Sequence, residues 1–258
     1  MAAVEIETRD RVVHATLNRP DALNGITPEV MDGLEAAMAS VRADPTAKAL
    51  VITGAGRAFS VGLDIDLLKG AFSDLTLFEA TVRRLKRVLC DLEALEVPVV
   101  AAVNGLARAG GFELMLACDL VLVAADARVG DTHLSFGIVP GGGASQRLPR
   151  RIGHQRAREV ILTGRWLTGT EAADIGLALR AVPADELAKE VEALVGQFRS
   201  LSRPCLSATK AAMVEGQDLP LAQALDVELT RFLRFLAEVP DADEGYRAYV
   251  EDRPPVWS

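Results

Sequence analysis

An α/β fold built from serial strand–turn–helix units is predicted by three features of this chain. Ala49 to Thr53, Val99 to Val103 and Leu120 to Ala125 read as buried strands, the continuous apolar run of Val99 to Val103 being the pattern of a strand covered on both faces of a parallel sheet. Helical segments stand between them, an amphipathic one at Thr76 to Leu95 and an apolar one from Gly110. Two of the strands run into glycine-bearing irregular turns about 50 residues apart, so two copies of one unit are expected to bring two turns to one sheet edge.

In chain order, Val4 to Ile6 and Val12 to Leu17 read as short strands around the turn Arg9-Asp10-Arg11, and Asn18 to Asn24, broken by Pro20, as a polar loop. Thr27-Pro28-Glu29 opens a helix with a Thr cap, proline at the first helical position and an acid in the first turn. Met31, Leu34 and Met38 carry it at helical spacing to about Val41. After the strand at Ala49 comes the irregular run Gly54 to Ile65. The helix Thr76 to Leu95 places Phe78, Val82, Leu85 and Leu89 inward and Arg83, Arg84, Lys86 and Arg87 largely outward, as a solvated basic face. Val99 to Val103 breaks at Asn104-Gly105, passes irregularly through Leu106 to Ala109, and enters the apolar helix at Gly110-Gly111. The glycines of Val129 to Gly143, around Pro140, mark a shaped loop. Short helices are expected around Ala144 to Leu148, Gln155 to Thr163 and Thr170 to Ile175, then a longer one from Ala184 to Phe198. From Leu201 the chain reads as helices without buried strands, one from Pro204 through Lys210 and Met213 and a long one from Leu219 to Ala237. Its Leu221, Leu225, Leu229, Phe232 and Phe235 form an apolar stripe for the core or for another subunit. EDRPPVWS is a proline-stiffened end.

A chain of 258 residues that is 50 % hydrophobic has ample material for a real core, as one large or two small domains. Its net charge of −8 argues against nucleic acid or an anionic membrane as the main partner, since both need a basic face. Cys90, Cys118 and Cys205 are too scattered for a disulfide framework or a metal knuckle, and a reducing cytoplasm is the expected location. Cys118 reads as a small core residue. MAAVEIETRD has no apolar signal core, and no run reaches the roughly 18 apolar residues of a membrane span.

Chemistry is concentrated at Glu113, the only charge between Arg108 and Asp119. A carboxylate among Phe112, Leu114, Met115 and Leu116 faces solvent, points at a cleft, or is buried at a cost of several kcal/mol unless partnered. Taken alone it reads as a first-turn acid stabilised by the helix dipole. Gly110 and Gly111 tip the balance, because they let backbone N–H groups point outward where negative charge develops on an oxygen, and a base beside such donors is a catalytic pair.

LNRPDALN, VITGAGRAFSVGLDI, VNGLARAGGFEL, FGIVPGGGASQRLPR, ILTGRWLTGTEAADIGL and GYRAYVEDR, in that order over nearly the whole chain, resemble the crotonase family of enoyl-CoA hydratases and isomerases. The resemblance implies a spiral of repeated ββα units over residues 1–197, carrying an acyl-CoA site, and a helical trimerisation region over 198–258 in a homotrimer or homohexamer. It implies an acyl-CoA substrate, with coenzyme A as part of the substrate and no separate cofactor or metal. The thioester carbonyl would accept N–H bonds from Leu63 and Gly110, stabilising an enolate; losing one such donor costs about 3 kcal/mol. Ala22, Leu23, Ser60, Val61, Asp64 and Ile65 would line the adenine and pantetheine path, and Lys210 is a candidate for a CoA phosphate, with a surface lysine as the plain alternative. The acyl tunnel is expected to include the irregular stretch near Leu67 to Leu77.

Hydratases of this family carry two glutamates 20 residues apart; Glu113 is the first, and position 133 is histidine. Imidazole works as acid or base near neutrality, so His133 is a candidate to handle a water or substrate proton opposite Glu113, although a lone histidine in a glycine-rich loop is by default structural. Asp21, where a basic residue is common, weakens any grip of this loop on a CoA phosphate. Hydration needs two groups, double-bond migration only one, and hydrolysis of a CoA ester or β-diketone is a further use of Glu113 with His133. A non-catalytic acyl-CoA binder is the alternative if His133 disables the chemistry. A serine hydrolase on Ala58-Phe59-Ser60-Val61-Gly62 is disfavoured, because the elbow lacks its first glycine and no histidine lies beyond His154.

Overall fold

Asp10 and Arg11 take left-handed backbone conformations (φ 48° and 66°), closing a two-residue hairpin between β1 (Val4–Arg9) and β2 (Val12–Leu17). The structure is a computed structural model that describes residues 2–71, 74–240 and 242–257. Helix α1 (Pro28–Ala43) begins as expected, with the Thr27 hydroxyl accepting the Val30 N–H. Three repeats follow. The first holds β3 (Ala49–Gly54), β4 (Ala58–Ser60), α2 (Ile65–Ala71) and α3 (Leu75–Glu93), capped by the Asp74 side chain. The second holds β5 (Val99–Val103), β6 (Leu106–Arg108) and α4 (Gly110–Leu116). The third holds β7 (Leu120–Ala124), β8 (Arg128–Gly130), a 3-10 turn at His133–Phe136, α5 (Ala144–Ile152) and α6 (His154–Thr163). The chain ends with β9 (Leu167–Thr168), α7 (Gly169–Asp174), β10 (Arg180–Val182), α8 (Leu187–Arg199), α9 (Arg203–Gly216), α10 (Leu221–Glu238) and α11 (Glu244–Val250).

Each repeat gives one strand to each of two sheets, so the three units stack by translation into the expected spiral. The large sheet has the order β1-β2-β3-β5-β7-β10, parallel except for the β1–β2 hairpin. The small sheet has the order β4-β6-β8-β9, and β4, β6 and β8 run parallel. Leu106 to Arg108, expected as irregular chain, is therefore a short strand whose pairing is supplied by neighbouring turns of the spiral.

Strand β5 is apolar throughout, and β3 is apolar from Ala49 to Ile52, because both faces are covered. Leu50, Ile52, Val99, Ala101 and Val103 join the main core, while Ala49, Val51, Val100 and Ala102 pack with Leu187, Val191, Leu194 and Val195 of α8. Asn24 and Asn104 tie the turns together. Asn24 donates to the Ala55 and Ala58 carbonyls and accepts from Arg19 N; Asn104 accepts from Gly54 N and donates to the Gly56 carbonyl. Cys118 is buried in the core as expected, and burial pushes its thiol up to about 12.

Helix α10 packs on α9 and buries none of its residues; Leu221, Leu225, Leu229 and Phe232 are each more than half exposed. A cavity of about 880 Å³ lies between these helices and the core. At its wall the Lys210 Nζ donates to Asp119 Oδ2 (2.6 Å) and to the carbonyls of Val97 (3.0 Å) and Leu92 (3.4 Å). All three ammonium donors are used inside the protein, where Lys210 anchors α9 to the core, the structural alternative to a contact with a CoA phosphate. Among the described residues no helix is long and apolar enough to cross a membrane.

Lys210→Ala leaves Asp119, only 27 % exposed at its side chain, without its cation, and loss of roughly 3 kcal/mol in chemical denaturation is expected, with CoA affinity unchanged. A selective loss of CoA affinity at unchanged stability would contradict this assignment.

Candidate active site

The segments that follow β4, β6 and β8 leave the same edge of the small sheet, outside the carboxyl ends of its parallel strands, and there they meet. Gly62, with φ 86°, turns the chain after β4. Its neighbour Leu63 pairs with Ile26 as an isolated bridge, in which Ile26 N donates to the Gly62 carbonyl and Asp64 N to the Ile26 carbonyl. The Leu63 N–H lies between these two bonds and faces the other way. Ala109, with φ 48° and ψ −121°, flips the chain after β6 so that Gly110 opens α4 with its N–H outside the helix ladder. The two backbones touch: a Cβ on Gly62 would lie 2.5 Å from Gly110 N, and one on Gly110 would lie 3.3 Å from Leu63 N. Gly111 is equally confined, since its Cβ would fall 2.0 Å from the Ser60 carbonyl oxygen.

Glu113, one turn into α4, is 1 % exposed. Its Oε1 accepts the N–H groups of Gly142 (2.8 Å) and Ala144 (3.1 Å), so the glycine loop closes directly on the carboxyl group. Arg147, paired with Glu93, donates to the Gly142 carbonyl and holds that loop from behind. Burial raises the Glu113 pKa above its ordinary value, against the opposing pull of the Ala144 N–H and of His133. Oε2 is turned to His133 Nε2 at 4.0 Å. His133 starts the 3-10 turn after β8, keeps 14 % of its side chain exposed, and bonds through Nδ1 to Asp131. Burial alone would lower its pKa, but the Asp131 bond and the Glu113 charge outweigh it and raise the pKa. The arrangement offers two free amides beside an acid and an imidazole, which is the equipment for holding charge on an oxygen while moving a proton.

A family profile described as enoyl-CoA hydratase/isomerase matches residues 7–258. The chain belongs to that family. A probable enoyl-CoA hydratase of Mycobacterium bovis is 36 % identical over 253 residues, 98 % of this chain and 96 % of that one. A crotonyl-CoA hydratase of Syntrophomonas wolfei is 33 % identical over 251 residues, 96 % of this chain and 95 % of that one. The solved enoyl-CoA hydratase of Bacillus anthracis superposes with a TM-score of 0.92 at 30 % identity, covering 99 % of this chain and 98 % of that one.

Within this enoyl-CoA hydratase/isomerase fold, the structure brings the loop of Ala22 and Leu23 beside Val61, Asp64 and Ile65. Val61 N donates to the Leu23 carbonyl, Asp64 pairs with Arg19 at 2.8 Å, and Ile65 is 65 % exposed. Ser60, expected along the CoA path, is enclosed at this turn. It is fully buried, its hydroxyl donates to the Asn24 carbonyl and accepts from Gly62 N, and it pins the turn that presents Leu63. The same enclosure removes it as a nucleophile. Lys210 is bonded instead to Asp119 and to the carbonyls of Leu92 and Val97 and is not among the residues brought together here. Asp131 and Arg147 are site residues that sequence reasoning missed: Asp131 is a lone acid two positions before His133, and Arg147 sits inside the motif FGIVPGGGASQRLPR without periodicity to mark it.

A raised folded-state pKa means that Glu113 stabilises the fold by being neutral; this contribution is complete below the unfolded value near 4.5 and is lost as pH rises through the folded value. Glu113→Gln keeps the acceptor for Gly142 and Ala144 but does not titrate. Its melting temperature relative to the natural chain is therefore expected to be higher at about pH 8.5 than at about pH 4; a pH-independent difference would contradict the burial argument.

Proposed function

We propose that this chain hydrates 2-enoyl-CoA thioesters, with Leu63 N and Gly110 N as the donors to the thioester oxygen and with Glu113 and His133 sharing the proton transfers. The observation that carries this reading is the 4.0 Å separation of Glu113 Oε2 and His133 Nε2. One water hydrogen-bonded to both at roughly 2.8 Å spans about 4.0–4.6 Å, so the pair is spaced to hold a single nucleophile.

As the water oxygen adds to the β carbon, negative charge moves through the α carbon to the thioester oxygen, where the two amides stabilise the enolate. One member of the pair takes the proton from water and the other delivers a proton to the α carbon. The pair ends with as many protons as it began with and resets when one proton crosses the gap. Two acid–base groups favour hydration over double-bond migration, which one base performs. The buried, doubly hydrogen-bonded Glu113 also weighs against a pure binder, because a binder gains nothing from a desolvated acid beside its ligand.

Coenzyme A enters as part of the substrate, along Ala22, Leu23, Val61, Asp64 and Ile65. For the acyl group the reading uses a cavity of about 520 Å³ beside Gly141, lined by Leu75, Phe78 and Val82; the expected stretch Leu67 to Leu77 contributes in part, and its residues 72 and 73 lie outside the described residues. The exposed stripe of α10 supports self-association through residues 198–258, as a homotrimer or homohexamer, with 1–197 as the catalytic spiral. Three free cysteines, Cys90 and Cys205 exposed and Cys118 buried, fit a cytoplasmic enzyme.

The test is a panel of crotonyl-CoA, a long-chain 2-enoyl-CoA and a 3-enoyl-CoA. Glu113→Gln is expected to lose turnover, by about 10²-fold or more, while CoA ligands still raise its melting temperature; His133→Ala should lose hydration and retain some isomerisation. Equal loss of both activities in His133→Ala would contradict separate proton roles, and binding without turnover by the natural chain would support the binder instead.

A further inference from the structure

The acid that governs His133 lies two residues before it. Asp131 follows β8 directly and is fully buried. Its Oδ1 is hydrogen-bonded to His133 Nδ1, while its Oδ2 has no partner among the described residues. A buried acid kept only for packing is ordinarily satisfied at both oxygens. Here the single engaged oxygen is spent on the imidazole, so the fold carries an incompletely satisfied carboxyl group at the one place where it fixes a ring.

We propose that Asp131 is a positioning residue for the reaction: it keeps the His133 proton on Nδ1 and aims Nε2 at Glu113 and at the water between them. The geometry leaves the ring little alternative. Nδ1 is held from the β8 end by Asp131, and Nε2 faces Oε2 of Glu113 from α4 at 4.0 Å. These two acids are the charged groups acting on the ring. Arg108, from the adjoining strand β6, instead stacks over Phe136 at 5.0 Å, on the exposed side of the same 3-10 turn. His133 is thus an imidazole between two carboxyl groups, one that orients it and one that exchanges protons with it. His14 shows the contrast: on β2 it accepts a hydrogen bond from Arg9, and among the described residues no carboxyl group hydrogen-bonds its ring.

This inference rests on the reading that His133 moves protons, and the experiment separates the two. Asp131→Asn keeps the size, but its amide N–H donates to Nδ1, which drives the ring proton to Nε2 and removes the acceptor there. Crotonyl-CoA hydration by the full-length protein is measured from about pH 5 to about pH 9 alongside His133→Ala. Asp131→Asn is expected to lose about 10²-fold in kcat with KM changed less than about threefold, and to shift the limb of the pH profile that His133→Ala abolishes toward lower pH by about one unit. A kcat within about threefold of the natural chain, with that limb unmoved, overturns the proposal for Asp131 while leaving His133 in place; a silent His133→Ala overturns the underlying reading instead. Nitrogen-15 spectra of the natural chain decide the matter where Asp131→Asn does not fold: the proposal expects a resting ring protonated at Nδ1, and a neutral ring protonated at Nε2 overturns it.

Discussion

The contact between the backbones of Gly62–Leu63 and Gly110 is what the rest of the site depends on. No side chain fits between them: a Cβ at either glycine would fall 2.5–3.3 Å from atoms of the opposing strand exit. That closeness follows from the parallel pairing of β4 with β6, which sets the two exits side by side, and from Asn24, Ser60 and Asn104, which lock the turns before them. The spiral contributes one further exit, after β8, and it carries the imidazole and its acid. Three successive turns of one repeated unit therefore deliver an amide, an amide with a carboxyl group, and a histidine to one place.

Glu113 is expensive to bury, and the structure offsets that cost in stages. The N–H groups of Gly142 and Ala144 donate to Oε1, leaving Oε2 facing His133. A Cβ on Gly142 would stand 2.4 Å from Oε2, so only glycine brings a backbone amide this near. Arg147 and Glu93 fix the loop in turn. The remaining penalty appears as the raised pKa of Glu113, and it is compatible with an acid that holds and releases a proton.

Much of the fold was legible because the large sheet is covered on both faces, so β3, β5 and β7 are apolar without alternation, and because Thr27-Pro28 and Gly110-Gly111 mark helix starts chemically. The small sheet was not legible. Its strands are two or three residues long, and their pairing comes from neighbouring repeats rather than from their own pattern. Helix α11, Asp131 and Arg147 share that difficulty, since their partners are distant in sequence or lie in irregular chain. Glu113 and Gly110 were singled out as a lone acid on an apolar helix and the glycine turn that opens it, whereas Leu63 and His133 were named through the family resemblance. For Ser60 and Lys210 the sequence is silent on one point: a polar side chain in a motif says nothing of whether its donors are already used inside the protein, as both of these are.

The proposed convergence of two amides on one oxygen has a direct spectroscopic signature. The thioester carbonyl of a carbon-13-labelled 2-enoyl-CoA, followed by isotope-edited infrared spectroscopy, is expected to shift to lower frequency on binding to the natural chain, because two hydrogen bonds polarise it toward the enolate. In Gly110→Ala, whose added methyl group would press on Gly62 and Leu63, the shift should shrink while the ligand still binds. A bound carbonyl that absorbs at its solution frequency in the natural chain would contradict the account.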